Sequence, residues 1–392
     1  MIKSLFKQKL FWGGFVGILL AVFIFTFAFM GSTVNPTLKE MPLAVVVQDE
    51  GVPLPNGQQI NFGRILKDQI KQSENQSADW TFLNSRDEAV EAMNEKKYYA
   101  TIVLPSDLSQ NIFSLLKENP KKAEVEVLIN EGMSLTGANL AGQITNGILS
   151  NLNQKVQQNL YEQVGTQQKT LSIDQSKLLA QPVHVTTEKL NKIASHTANG
   201  NAPALFTQIL WLTTFISSMI IFTIIKKLGS GKWNFTSIVS QLLAGLIFVT
   251  TICSLVFWLT NGVLNVSIPN GGEMFLLLLF MGIMFFFIQS GLLNWLGYAA
   301  APLFVLLFFF SMPILTLPPE LLPDVTKVWL YSWVPFRFSV EVFRNSLFFE
   351  GNTVANGIRI VGYTGLAGLT LMLSAMLKPK KKGEKQQSVI EG

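Results

Sequence analysis

The run of this chain that most resembles a catalytic motif is LGSGKWN, from Leu228 to Asn234. A Walker A loop needs a glycine five residues before its Gly-Lys pair and a serine or threonine after it. Its backbone amides then cradle phosphates, and the hydroxyl binds Mg²⁺. Lys226 and Trp233 occupy those two positions here. The run is therefore interpreted as a loop with solvated lysines.

Other residues that carry chemistry are sparse. Cys253 is the single cysteine, so an intramolecular disulfide and a cysteine-based zinc site are excluded. His184 and His196 lie in a polar region and are interpreted as solvated. The carboxylate pairs Asp49–Glu50 and Asp87–Glu88 occur where turns or helices begin, which capping explains. The sequence contains no hydrolase motif, and we expect a chain that is not an enzyme and holds no cofactor or metal.

The composition indicates an integral membrane protein. Hydrophobic residues make up 49% of the 392 residues, phenylalanine occurs 30 times, and the mean hydropathy is +0.35. Several windows exceed the roughly 20 apolar residues that cross a hydrocarbon core of about 30 Å. Not one charged residue occurs between Met274 and Pro319. Two spans are therefore expected in that interval.

Six spans are predicted along the chain. The first, Phe11–Met30, follows three lysines; its length favours an uncleaved signal anchor over the competing cleaved signal peptide, whose apolar region is about 7–15 residues long. The other five are Ala204–Ile225, Phe235–Leu259, Met274–Leu293, Trp295–Leu317 and about Ala355–Leu377. The break between the fourth and fifth spans carries no charge, so its position is weakly defined.

Lysines predict the orientation. They cluster before the first span, after the second, and after the last: Lys3, Lys7 and Lys9; Lys226, Lys227 and Lys232; and KPKKKGEK from Lys378. With six spans these places share one side, the cytoplasm. Residues 31–203 carry 15 Lys/Arg against 18 Asp/Glu, a net charge of −3, so the remainder holds +8 of the total +5. The basic pI of about 9.1 is therefore a topology signal and no evidence for nucleic-acid binding.

The predicted organisation has four parts. They are an N-terminal cytoplasmic segment with the first span (1–30), an extracytoplasmic domain (31–203), a five-span domain (204–377) and a basic cytoplasmic tail (378–392). In the extracytoplasmic domain, strands are predicted at Met41–Gly51, YYATIVLP and AEVEVLIN, and helices at Arg86–Lys97 and after Ser106, the expected N-cap. This alternation predicts a small α/β domain.

A long amphipathic helix is predicted over Leu135–Leu179. Its apolar residues recur almost every fourth position: Leu140, Ile144, Ile148, Leu152, Val156, Leu160 and Val164. Two interpretations remain open. The stripe packs against the α/β lobe or another helix, or it forms a dimer contact or a stalk that meets a partner.

A proline-rich segment at about 313–350 separates the last two spans. Prolines at 313, 318, 319, 323 and 335 prevent a continuous span there, and Trp329, Tyr331 and Trp333 suit a membrane interface. A re-entrant or interfacial outer helix pair is predicted, with one helix beginning at Pro335 and carrying a stripe of Arg337, Glu341 and Arg344. In this arrangement Arg337 can reach Glu341, and either arginine can reach lipid headgroups.

The predicted spans have no ionisable residue in their cores, which argues against a proton-driven antiporter. Four amide side chains remain as intramembrane polar candidates: Gln208, Gln241, Gln289 and Asn294. Such amides hold helices together more often than they bind ligands.

Two stretches of sequence carry a family resemblance. LAVVVQDEG, ADWTFLNSRDEAVEAMNEKKYYATIVLPSDLSQNIFSL and AEVEVLINEG resemble the YhgE/Pip (phage-infection-protein-like) membrane proteins over about residues 1–145. The six spans, the short basic loop and LYSWVPFRFSVEVFR resemble the permeases of ABC-2-type exporters over about residues 200–378. The expected fold is therefore an α-helical polytopic, ABC-2 permease-like membrane protein with an α/β extracytoplasmic domain inserted between its first two spans.

The resemblance implies export of an amphiphilic, drug-like, lipid or polymer substrate across the plasma membrane. It implies a homodimer or a heterodimer with a second permease, and an ABC ATPase subunit that holds ATP and Mg²⁺. The ATPase contact would lie in the loop after the second span, at Lys226, Lys227, Lys232 and Trp233; alternatively, these lysines only set topology. The alternative function is a non-transporting scaffold or receptor whose extracytoplasmic domain binds a secretion, envelope or phage component.

Overall fold

A computed structural model describes residues 38–53, 59–72, 77–117, 119–166, 172–228, 233–349 and 354–378 of the chain, together with Val16, Leu19, Leu20, Val22, Phe23 and Thr26. The chain divides into two compact units. The α/β unit comprises Pro36–Ala194 and the short segment Leu317–Leu322. The helical unit comprises Met1–Asn35, Ser195–Thr316 and Pro323–Gly392.

A five-stranded sheet organises the α/β unit. Its strands are β1 (Met41–Val47), β4 (Ala78–Leu83), β5 (Ala100–Leu104), β6 (Ala123–Asn130) and β7 (Val183–Leu190), in the order β4-β1-β5-β6-β7. The β5–β6 pair is antiparallel and the other pairs are parallel. A separate two-stranded ladder joins β2 (Val52–Pro53) to β3 (Gln59–Ile60). Three predicted strands are confirmed: β1 at the start of the unit, β5 before Pro105 and β6 after Pro120.

Five helices accompany this sheet in the part of the unit that the structure describes. They are α1 (Phe62–Gln72), α2 (Arg86–Asn94), α3 (Leu108–Ser114), α4 (Leu135–Thr166) and α5 (Ile173–Ala180). The helix predicted from Arg86 is confirmed, with Ser85 as its N-cap. The N-cap predicted at Ser106 is wrong, because α3 follows Asp107, whose side chain makes no capping bond.

Asp49 explains why α3 needs no local cap. This buried carboxylate follows β1 and lies against the first turns of α1 and α3. Its Oδ1 accepts from the amide of Ser109 at 3.0 Å, and its Oδ2 accepts from the Ser109 hydroxyl at 2.6 Å and the Gly63 amide at 2.9 Å. A carboxylate at two helix N-termini satisfies unpaired amides and interacts favourably with both dipoles. Asp49 therefore fixes both helices to the end of β1.

The long helix predicted over Leu135–Leu179 is partly wrong. Helix α4 ends at Thr166, and α5 begins after Ser172, which forms a reciprocal capping box with Gln175. The apolar stripe of α4 packs against the main core of the α/β unit, with Leu152, Val156 and Leu160 fully buried. This is the first of the two predicted uses of the stripe.

The segment Leu317–Leu322 completes the α/β unit. The Tyr99 hydroxyl donates to Glu320 Oε2 at 3.0 Å, and the Lys39 amide donates to the Glu320 carbonyl at 3.2 Å. Glu320 thus attaches this segment, through its side chain and its backbone carbonyl, to residues that precede β5 and β1.

Long apolar helices dominate the helical unit. They are α6 (Ala202–Leu228), α7 (Phe235–Phe257, followed by a π-helical turn Trp258–Val263), α8 (Gly271–Leu296), α9 (Ala300–Thr316) and α12 (Val354–Ser374, followed by the 3₁₀ turn Ala375–Leu377). Two shorter helices precede α12: α10 (Asp324–Thr326, continued by the π-helical turn Lys327–Tyr331) and α11 (Pro335–Phe348).

Four stretches of the described residues are long and apolar enough to cross a membrane: Ala202–Leu228, Phe235–Val263, Gly271–Thr316 and Ala355–Leu377. The chain is thus a helical membrane protein. The third stretch has 46 residues and is divided by Gly297, whose φ of +65° ends α8. At 1.5 Å per residue, α8 is about 39 Å long and α9 about 26 Å. The span predicted at Phe11–Met30 lies almost entirely outside the described residues.

Close backbone approach joins α8 to α12. A Cβ added to Gly368 would lie 2.6 Å from the backbone nitrogen of Ile288, and one added to Gly291 would overlap the Gly368 carbonyl oxygen. Small residues let membrane helices approach at this distance. Glycines on both helices are therefore a condition of this packing.

Candidate functional sites

The loop predicted to contact a partner lies beside a second turn. Lys226 and Lys227 end α6, Trp233 precedes α7, and Lys232 lies outside the described residues. The turn between α8 and α9 brings Tyr298 to this place. Phe222, Lys226, Trp233 and Tyr298 together form what we call the turn cluster.

Ring contacts hold the turn cluster together. The Lys226 ammonium lies 4.7 Å from the centroid of Tyr298 and 5.8 Å from that of Phe222. Phe222 stacks on Trp233 at 5.8 Å and meets Tyr298 edge-on at 5.3 Å. The Tyr298 hydroxyl donates to Thr223 Oγ1 at 3.2 Å. Cation–π contacts of this kind orient the ammonium, so Lys226 belongs to an ordered surface built from two turns.

Sequence reasoning missed Tyr298. Its residue type is ordinary for an apolar run, and its partners Phe222 and Lys226 lie more than 70 residues away along the chain. The glycine before it could have indicated a turn at this position, because Gly297 ends α8 and the chain reverses direction there.

The same end of α8 is fastened to α12. Trp295 Nε1 donates to the Leu371 carbonyl at 2.9 Å and to Ser374 Oγ at 3.0 Å. Lys378 Nζ donates to the carbonyls of Trp295 at 2.8 Å and Asn294 at 3.3 Å. A cation bound to the last carbonyls of a helix complements its dipole. Beyond Lys378, the predicted basic tail lies outside the described residues.

Three of the four intramembrane amides make contacts between helices. Gln241 Nε2 donates to Asn294 Oδ1 at 3.1 Å, and Asn294 Nδ2 donates to Gln241 Oε1 at 2.8 Å. Gln289 Nε2 donates to the Trp211 carbonyl at 3.0 Å, and its Oε1 accepts from Ser218 Oγ at 3.4 Å. Gln208 is half-buried. The paired amides join α7 to α8 and α8 to α6, which is the structural role expected of such residues.

An aromatic cluster surrounds Trp211 at the centre of the helical unit. The buried indole meets the rings of Phe336 at 4.6 Å, Phe285 at 5.3 Å and Phe304 at 5.8 Å, each edge-on. Its Nε1 has no hydrogen-bond partner among the described residues. Residues from α6, α8, α9 and α11 therefore meet at one point.

Helix α11 begins at Pro335, as predicted, and is enclosed on most sides. Ten of its fourteen residues are buried, whereas Glu341 is exposed and Arg344 half-buried. Ser339 and Thr207 of α6 share a hydrogen bond of 3.0 Å. The contacts found for the Arg337 guanidinium are with the rings of Tyr331 and Phe338. A helix lying on a bilayer surface buries one face, so this burial favours the re-entrant alternative.

The residues considered for catalysis remain apart. His184 and His196 are exposed, Cys253 is buried, and Asp49 satisfies two helix termini. Within the described ranges, no group of three or more His, Cys, Asp or Glu side chains is arranged to hold a metal ion.

A charge cluster crosses the surface of the sheet. Arg86 donates to both carboxylate oxygens of Glu126, at 2.7 and 2.8 Å, and to Glu188 at 2.5 Å. The hydrogen bonds from Arg86 lower the pKa of Glu126, and those to Glu126 raise the pKa of Arg86. Strands β6 and β7 are thereby tied to the first turn of α2. This cluster is structural and partly solvated.

A family model described as "Protein of unknown function (DUF3533)" matches residues 16–358. A relative, "Uncharacterized protein YhgE" of Bacillus subtilis (strain 168), is 27% identical over 143 residues. The match covers 36% of this chain and 18% of that protein, so the chain spans less than a fifth of its length. The predicted likeness to YhgE-type proteins is confirmed.

A solved structure is also similar to part of the chain. It is a domain of a putative ABC type-2 transporter from Thermotoga maritima MSB8, 20% identical, with a TM-score of 0.27. The match covers 38% of this chain and 85% of the solved one.

Proposed function

The chain belongs to the DUF3533 family, and we propose that it is the membrane-spanning permease subunit of an ABC-2-type exporter. A separate ATPase subunit binds ATP and Mg²⁺ and drives transport. The permease works as a homodimer or with a second permease and moves an amphiphilic, drug-like, lipid or polymer substrate outward.

The enclosure of α11 is the observation that carries this proposal. The chain enters α11 through the short helix α10, which follows Pro323, and a break before Pro335, and α11 then packs against α6, α8, α9 and α12. Interrupted backbone at membrane depth is tolerated where protein buries it or where it lines a wet cavity. Discontinuous helices of this kind form substrate sites in transporters. A membrane anchor for a scaffold needs no such element.

The turn cluster supports docking of the ATPase at the other end of α6. Ser339 of α11 contacts Thr207, whereas the turn cluster includes Phe222 and Lys226. Lys226 follows Thr207 by 19 positions, which corresponds to about 28 Å of helix, close to the thickness of a hydrocarbon core. An ordered cationic surface there suits a nucleotide-hydrolysing subunit that moves as one body with the permease.

In this proposal the turn cluster and both termini face the cytoplasm, and the α/β unit faces outward. The lysines at the ends of the predicted spans support that orientation. Labelling of single cysteines introduced at Lys227 and Lys122, in a Cys253→Ser background, tests it. A membrane-impermeant thiol reagent added to intact cells should label the variant at 122 and spare the one at 227.

The test of function is purification of the tagged chain in mild detergent from its native membrane, with an assay of ATP hydrolysis by the complex. We expect a stoichiometric subunit with a Walker A motif. The double variant Lys226→Glu, Lys227→Glu should lose it, because reversed charges oppose the docking that the wild-type lysines favour.

Lys121→Glu, Lys122→Glu is the matched control, since these adjacent lysines are exposed on the α/β unit. The control should retain the ATPase. Thiol labelling of a cysteine at position 122, combined with Lys226→Glu and Lys227→Glu, separates lost docking from inverted topology. A purified chain that transports substrate without any nucleotide-hydrolysing subunit would overturn the proposal.

A further inference from the structure

Arg337 is held in place by two aromatic rings. Its guanidinium carbon lies 4.6 Å from the centroid of Tyr331 and 4.4 Å from that of Phe338. Arginine stacks on aromatic faces while its N–H groups point outward in the guanidinium plane. The side chain is half-buried, and among the described residues it forms no ion pair with a carboxylate. Arg337 is thus an oriented cation whose donors remain available.

Lys327 adds a second cation close by. It begins the π-helical turn that ends at Tyr331, and its carbonyl accepts from the Ser332 amide at 3.0 Å. Residues separated by about one turn are neighbours on a helix surface, and Lys327 lies about one turn before Tyr331, the ring on which Arg337 is stacked. Lys327 is half-buried and, within the described part of the chain, has no carboxylate partner.

Large apolar side chains flank these cations. Trp329 is 75% exposed, Val325 70% and Val328 67%, and Trp333 is 55% exposed. Trp333 Nε1 donates to the Trp329 carbonyl at 2.6 Å, which holds the Trp333 indole against the backbone of Trp329. Tryptophans with one wet and one apolar side lie at the headgroup level of bilayers. The segment from Val325 to Arg337 is therefore built for that depth.

We propose that Arg337 and Lys327 bind the phosphate of an anionic phospholipid. The guanidinium fork matches two phosphate oxygens, and the ammonium supplies a point charge. The exposed tryptophans and valines lie against the adjoining glycerol and acyl region. The first turn of α11 adds the positive end of its dipole. This site goes beyond transport, because it depends on membrane location and not on an ATPase.

Two acidic residues share these helices and define the expected selectivity. Asp324 lies one turn before Lys327, and Glu341 one turn after Arg337. These two carboxylates offset most of the charge of Lys327, Arg337 and Arg344, which leaves the segment a small net positive charge. The attraction of a lipid phosphate therefore comes from Arg337 and Lys327 at short range. A lipid with one accessible phosphate and no choline group fits better than a zwitterionic one. Phosphatidylglycerol is the probe of choice, with phosphatidylcholine as the neutral comparison.

The test measures lipid retained by the purified full-length chain after exposure to equal amounts of the two lipids, by native mass spectrometry. Wild-type protein should retain phosphatidylglycerol preferentially. Arg337→Gln should lower that retention about tenfold, as expected for one charge-assisted pair. Lys327→Gln should lower it less, and Arg337→Lys should be intermediate because charge remains without the fork.

Arg359→Gln is the matched control, an exposed arginine on α12. It should retain lipid like wild type, and each variant is compared at an unchanged melting temperature. Wild-type retention in both Arg337 variants and in Lys327→Gln would overturn the proposal, as would equal loss in the Arg359 control. Displacement of the lipid by millimolar inorganic phosphate would assign the cations to a soluble anion and overturn the lipid assignment.

Discussion

Gln241 and Asn294 exchange two hydrogen bonds across the α7–α8 interface, at 3.1 and 2.8 Å, and both side chains are fully buried. Each amide satisfies one donor and one acceptor of the other. In an apolar surrounding this reciprocal pair resists separation, because parting the helices leaves four polar groups unpaired.

Truncation of one member should therefore destabilise the helical unit. We expect Gln241→Ala to lower the free energy of unfolding by about 1 kcal/mol, within the range measured for polar contacts between membrane helices. Thermal unfolding in lipid nanodiscs would measure it. Gln241→Leu combined with Asn294→Leu should recover part of the loss. The half-buried Gln208→Ala is the control, and an equal effect there would contradict a special role for the pair.

The close approach of the α8 and α12 backbones at Gly368 leads to a second prediction. Gly368→Ala places a Cβ 2.6 Å from the backbone nitrogen of Ile288, and the backbones must separate because neither can bend away. We expect a loss of about 1–3 kcal/mol, typical of overpacking. Gly362→Ala is matched in chemistry but meets Phe280 at an ordinary 3.5 Å. Similar melting temperatures for the two variants would show that the close approach is not required.

Asp49 should control the stability of the α/β unit. Asp49→Ala leaves the amides of Ser109 and Gly63 without their carboxylate partner, and a loss of about 3 kcal/mol is expected from unpaired buried groups. Limited proteolysis of the full-length chain should then cut within Pro36–Ala194 at lower protease concentration. Asp68→Ala, at an exposed site on α1, should leave the pattern unchanged. Protection equal to wild type in Asp49→Ala would refute this role.

The Arg86–Glu126 pair should make the stability of the α/β unit modestly dependent on pH. Because Arg86 lowers the pKa of Glu126 in the folded state, the pair stabilises the fold above the unfolded pKa of about 4.3. This contribution is lost as the pH falls through the lower folded value. The side chains are 40% and 26% exposed, so at most about 1 kcal/mol is expected. Glu126→Gln should remove this part of the acid sensitivity, measured by proteolysis between pH 3 and 6.

Local sequence signals predicted the elements well. Strands β5 and β6 are rich in β-branched residues and lie next to prolines. The helices of the helical unit are recognisable from the length of their apolar runs. The interruption between α4 and α5 also has a local sequence signal. Ser172 and Gln175 stand at capping-box spacing, which marks the start of a new helix.

Contacts between distant residues could not be predicted in the same way. Tyr298 meets Lys226, Asn294 meets Gln241, and Ser109 binds Asp49 across intervals of more than 50 residues. Each residue type is compatible with a solvated or lipid-facing position when read alone. The packing of the helices decides which amides and rings come into contact, and a single sequence contains no record of that packing.

Cross-linking from position 227 tests whether an ATPase subunit docks at the turn cluster. In a Cys253→Ser background, a single cysteine at position 227 would carry a photoactivatable cross-linker in native membranes, with a cysteine at position 122 as the comparison. If the chain is an ABC-2 permease, position 227 should cross-link to a subunit with a Walker A motif and position 122 should not. Absence of this product from position 227, although a small thiol reagent reaches it from the cytoplasm, would exclude docking of an ATPase at this loop and with it the proposed permease function.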